Sequence, residues 1–112
     1  MGWFGGYTFQ TYSKGPGGYE AVAAGQAAVG MSANLIKPTT GPYAGVLAKA
    51  ALVSLEGGDV RFRIDGGNPT GTDGHQLTPG DNLVLSGTQA LRQFKVIRMG
   101  GTNGTLRVTY FY

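Results

Sequence analysis

From residue 46 onward, apolar and polar side chains alternate with a period of two, the pattern of strands that bury one face. Val60-Arg61-Phe62-Arg63-Ile64 places Val60, Phe62 and Ile64 on one face and both arginines on the other. Leu106-Arg107-Val108-Thr109-Tyr110 repeats the pattern. Residues 46–56 read as a strand with Leu47, Ala51, Val53 and Leu55 facing inward. Glu56-Gly57-Gly58-Asp59 is then expected as a hairpin turn, since glycine accepts the positive φ of tight hairpins. Residues 59–65 form the next strand, 66–74 a long loop, 75–77 a short strand, and Thr78-Pro79-Gly80-Asp81 a tight turn with proline preset for its second position. A strand over 82–86 carries Leu83 and Leu85 inward, and a helical turn within 87–93 carries Leu91. A strand over 94–99, a second glycine hairpin over 100–104 and a final strand over 105–112 complete the chain. Short strands punctuated by turns predict an all-β fold, an antiparallel β-sandwich or jelly-roll-like module over residues 46–112.

Residues 1–45 follow another rule. Trp3, Phe4, Tyr7, Phe9, Tyr12 and Tyr19 are interleaved with Gly2, Gly5, Gly6, Gly15, Gly17 and Gly18. Such a segment has too few aliphatic residues for a core of its own and too many rings for a plain linker. The expectation is an extended Gly/aromatic-rich N-terminal arm that docks its rings on the chain's own sheet or on a neighbouring subunit. Residues 7–12 alternate aromatic with polar side chains and suit a strand. Residues 21–33 are alanine-rich, but Gly25 and Gly30 each cost a helix about 1 kcal/mol, so short strands or irregular structure are expected there. Pro38 and Pro42 close the segment as a turn-rich linker.

Composition narrows the function. The chain has 112 residues, 21 glycines and no cysteine, so neither a disulfide nor a thiolate metal site supports it. The weakly polar run over 21–35 is broken by Gln26, Ser32 and Asn34 and is too short to span a membrane. It does not read as a secretory signal either, because Lys14 lies far ahead of it. The net charge is +3, but the cations are scattered singly, whereas nucleic-acid binders concentrate them on one face. Phe62 and Tyr110 also fall on the opposite strand phase from Arg61, Arg63 and Arg107, which separates rings from cations. Neither nucleic acid nor membrane is expected as a partner.

Catalytic chemistry finds little to use. His75 is the single histidine, and no serine sits in a G-x-S-x-G elbow. Glu56, Asp65, Asp73 and Asp81 adjoin glycine, where acidic side chains serve turns. Asp65, Asn68 and Asp73 offer oxygens for calcium, but Gly67 and Pro69 occupy ligand positions of an EF-hand and no closing glutamate follows. The glycine loops at 15–18 and 100–104 lack the lysine of a phosphate-binding loop. No enzyme activity, metal or cofactor is expected.

Val60-Arg61-Phe62-Arg63-Ile64-Asp65-Gly66 with Pro69-Thr70, then Leu77-Thr78-Pro79-Gly80-Asp81, the strand from Phe94 to Ile97, and Leu106-Arg107-Val108-Thr109-Tyr110 resemble segments of small structural proteins of tailed bacteriophages. These include capsid decoration (cement) proteins and other minor virion components. The resemblance covers the C-terminal half and rests on turns and strands. It implies a non-catalytic virion protein, present in the host cytoplasm before assembly, that binds the major capsid protein at the capsid surface as a homo-oligomer, with a trimer favoured. Trp3, Phe4, Tyr7, Phe9, Tyr12 and Tyr19 are the interface candidates in the arm, and Asn68 and Pro69 those in the long loop. The alternative is a carbohydrate- or receptor-binding sandwich module of a phage neck, tail or fibre.

Overall fold

A computed structural model describes residues 14–112. The chain forms strands β1 (Pro16–Ala24) and β2 (Val29–Gly30), helix α1 (Ala33–Ile36), strands β3 (Ala50–Gly57), β4 (Val60–Arg63), β5 (His75–Leu77) and β6 (Asn82–Ser86), helix α2 (Thr88–Gln93), and strands β7 (Lys95–Arg98) and β8 (Gly104–Phe111). The strands make two antiparallel four-stranded sheets, ordered β1-β8-β3-β6 and β2-β7-β4-β5.

Alternation decides which side chains are buried. In β8, Leu106, Val108 and Tyr110 point inward, and Tyr112 continues the phase beyond the strand; all four are almost wholly buried. Ala51, Val53 and Leu55 of β3 face them in the same sheet. Val60 and Phe62 of β4, Leu77 of β5 and Val96 of β7 supply the other sheet, and the buried residues of both form one apolar cluster. Leu91 of α2, Ile36 of α1 and Phe94 belong to the same cluster.

Several expectations are corrected. Leu47 is 36% exposed because β3 begins only at Ala50, and Ile64 is 41% exposed because β4 ends at Arg63. The glycine turns at 57–58 and 100–104 do not close hairpins: β3 and β4 lie in different sheets, as do β7 and β8. Each turn carries the chain across the core. The boundary at residue 45 does not divide the structure either. β1 pairs with β8 from Pro16 to Ala24, and β2 pairs with β7, so residues 16–30 contribute strands to both sheets. The part of the expected arm over residues 1–13 lies outside the described residues.

Register assigns every connection to one end. Ala24, Gly57 and Gly104 meet at one end of the first sheet, and Val60, Leu77 and Arg98 align at the corresponding end of the second. Here the connections are short and bonded to one another. Gly58 N–H donates to Asn103 O at 3.1 Å, Met99 N–H to Asp59 O at 3.0 Å, and Arg98 N–H to Gly25 O at 3.1 Å. The opposite end carries the connection from Gly30 to Ala50 with α1, the loop from Arg63 to His75, and the connection from Ser86 to Lys95 with α2. The start of β1 and the end of β8 lie there too.

Candidate functional site

The end with the helices and long loops holds most of the specific polar geometry. Where β1 begins, Lys14 N–H and Gly15 N–H both donate to Tyr112 O, at 2.9 and 3.1 Å, and Tyr112 N–H donates to Gly15 O at 2.9 Å. Tyr43, on the connection after α1, stacks on Tyr112 with ring centroids 4.7 Å apart, and its hydroxyl donates to Lys14 O at 2.9 Å. The Tyr112 hydroxyl donates to Leu35 O at 2.5 Å. A Cβ on Gly17 would overlap the Tyr43 ring, so this packing needs glycine there. Main chain and rings together fix where the chain leaves residue 14 toward its N-terminal segment.

Beside this, the Glu20 carboxylate accepts from Ser32 N–H at 3.0 Å and from the Tyr110 hydroxyl. Burial, then the adjacent carboxylate, pushes the Tyr110 phenol far above its ordinary range. Burial, then Tyr43, raises the Tyr112 phenol in the same direction.

Two arginines tie down the loop after β4. Arg61 donates through Nε to Gly71 O at 3.2 Å and through Nη1 to Gly74 O at 2.8 Å. Arg63 makes a two-pronged pair with Asp65, at 3.0 and 2.6 Å, and reaches Asn68 O at 3.4 Å. The loop carboxylate and the Gly67 N–H that donates to it at 3.2 Å close a tight bend. Arg63 hydrogen bonding, then Gly67 N–H, lowers the Asp65 carboxyl to about 2. Both strand arginines therefore hold a loop against their own sheet.

Of the sequence-derived interface residues, Trp3, Phe4, Tyr7, Phe9 and Tyr12 lie outside the described residues. Tyr19 is 57% exposed on the outward phase of β1, and its hydroxyl accepts from Arg107 Nη1 at 3.2 Å. Asn68 is exposed. Pro69 is buried, since the loop folds it inward against Gly74, so it cannot present its ring to a partner. His75 is exposed on β5, with its ring tilted 5.3 Å from that of Phe62.

Among the described residues, no three His, Asp or Glu side chains gather closely enough to hold a metal ion, and no helix is long and apolar enough to cross a membrane. Asp65 of the candidate calcium loop instead bonds Arg63. Sequence reasoning passed over Tyr43 and weighed Glu20 only as one of six carboxylates for acid–base work; both act on partners far along the chain. Tyr112 carried a signal, since it continues the inward phase of Val108 and Tyr110.

No protein-family model matches the chain, no curated protein matches it, and no solved structure matches it.

Proposed function

We propose that this protein is a structural, non-catalytic component of a tailed-phage virion that binds and stabilises the assembled capsid as a decoration protein. The observation that carries the reading is the strand pairing. β1 pairs with β8, β2 with β7, β3 with β6 and β4 with β5, and the β8–β3 and β7–β4 contacts complete the two sheets. This is one long hairpin rolled up on itself, the connectivity of a jelly-roll sandwich, an architecture used by viral capsid and lectin domains. Because a fold alone assigns no activity, the working surface has to be named. It is the end that gathers α1, α2, both long loops and the fixed root at Lys14, from which the aromatic residues Trp3, Phe4, Tyr7, Phe9 and Tyr12 extend in sequence. Large rings supply interface area efficiently, about 150–250 Å² each. The partner is the major capsid protein, and the protein binds as a homo-oligomer, a trimer by analogy with decoration proteins.

Co-sedimentation with purified capsids that lack the protein tests this reading. Stoichiometric binding is expected, together with a trimer mass in solution. Failure to sediment overturns the proposal. A glycan-array signal that maps to Asn68, Thr70 and Thr72 of the loop between β4 and β5 would promote the carbohydrate-binding module in its place.

A further inference from the structure

Between α1 and α2, a cavity of about 270 Å³ is lined by Met31, Ala33, Ile36, Lys37 and Arg92. Its floor is apolar, with Ile36 only 4% exposed, and its rim is cationic. Neither the Lys37 nor the Arg92 side chain has a partner among the described residues.

None of the chain's own acids pairs with Lys37 or Arg92 among the described residues. Of the six, Glu56 pairs with Arg107, while Asp65 and Asp73 pair with Arg63. Glu20 accepts from Ser32 and Tyr110, and Asp81 accepts from Thr78 N–H and Oγ1, at 2.9 and 3.1 Å. Asp59 sits in the β3–β4 turn at the far end of the strands. Neither cation of the pocket therefore forms an ion pair with a carboxylate among the described residues.

We propose that this pocket is a docking site for an acidic peptide segment of a partner protein, one that places an aliphatic side chain on Ile36 and Met31 and a flanking carboxylate between Lys37 and Arg92. Both halves of the site are needed. The apolar floor gives a bare anion nothing to bury, and a purely apolar segment would leave both rim cations without a counter-charge. At about 270 Å³ the pocket is at the small end of binding-site volumes. It holds a single side chain with its neighbour. The inference deepens the capsid-binding reading by naming the partner's chemistry, and it rests on that reading for the partner's identity.

The test uses the full chain labelled with ¹⁵N and the peptide acetyl-Leu-Glu-Leu-Glu-Leu-amide as probe. Chemical-shift changes are expected at Met31, Ala33, Ile36, Lys37 and Arg92. The glutamine version of the peptide and the double variant Lys37→Glu/Arg92→Glu should each bind at least about tenfold more weakly. Both substituted positions are exposed, so the variant should keep the wild-type melt. Equal binding by the glutamine peptide, undiminished binding by the double variant, or shifts confined to the loop between β4 and β5 would each overturn the site. Capsid sedimentation separates the two readings. If wild type and double variant sediment equally, the pocket is refuted and the capsid reading stands. If wild type fails to sediment while the peptide binds at the pocket, the capsid reading is refuted and the site stands.

Discussion

Asp65 accepts two bonds from the Arg63 guanidinium and one from Gly67 N–H, and all three favour the charged carboxylate. Its folded-state carboxyl therefore titrates at about 2, below its ordinary 3.8. The sign follows directly: the contribution is complete above the unfolded value and is lost as pH falls toward about 2. A side-chain carboxyl titration followed by NMR should give that low midpoint, and Arg63→Gln should return it toward normal. The tyrosines behave in the opposite sense. Tyr110 and Tyr112 are held neutral by burial, so their contribution is intact below about pH 10 and declines as pH rises further. Tyr110→Phe removes the bond to Glu20 and should cost about 1–2 kcal/mol at neutral pH. It should also flatten the fall in stability above about pH 10, measured by denaturant melts across the alkaline range. The sequence shows that Tyr110 lies on the inward phase of its strand, but not that Glu20, ninety positions earlier, reaches its hydroxyl. Contacts of that span are set by strand register, which no local pattern encodes.

At the scale of elements, the glycine turns show how local chemistry and topology part company. Gly57 adopts φ +87°, so a turn was correctly placed there. Whether that turn closes a hairpin or crosses between sheets depends on which partner β3 prefers, and it pairs with β6 and β8 rather than β4. The β3–β4 and β7–β8 turns pack main chain against main chain. A Cβ on Gly58 would strike the Thr102 carbonyl, and one on Gly104 would come within 2.7 Å of a Val60 methyl and 2.8 Å of Gly58 O. Gly58→Ala and Gly104→Ala should each cost about 1–3 kcal/mol by overpacking, read from urea denaturation. Gly101 faces open space without a positive φ, and Gly101→Ala should stay within about 0.5 kcal/mol of wild type. Equal effects at Gly58 and Gly101 would refute the crossing of these turns. In the strands themselves the legible part was large. Val60, Phe62, Leu85, Leu106, Val108 and Tyr110 are buried as their alternation requires. Leu47 and Ile64 escaped because periodicity continues past the residue where pairing stops.

For the whole molecule, the revised boundary changes what a truncation should do. Deleting residues 1–13 removes none of the described strands and should preserve a cooperative thermal melt while abolishing capsid sedimentation. Deleting residues 1–19 also removes four of the nine residues of β1 and opens the edge of β8 from Thr109 onward. That variant should lose stability or aggregate, as an unprotected strand edge does. Survival of the 1–19 deletion with an unchanged melt would show that β1 contributes little to the first sheet. Glycine and aromatic richness hid β1, because Pro16, Gly17 and Gly18 are poor strand formers and only pairing with β8 makes them one. What the sequence by itself determined is the all-β class, the inward face of most strands, the tight turn over 78–81 and the buried Leu91 of α2, since period-two burial and turn chemistry are local properties. Only the tertiary structure decided the sheet order, the inclusion of residues 16–30, the loop held by Arg61 and Arg63, and the cationic pocket between the helices. Each of these depends on residues distant in the chain meeting in one register, and that is settled by the joint burial of both sheets against a single core.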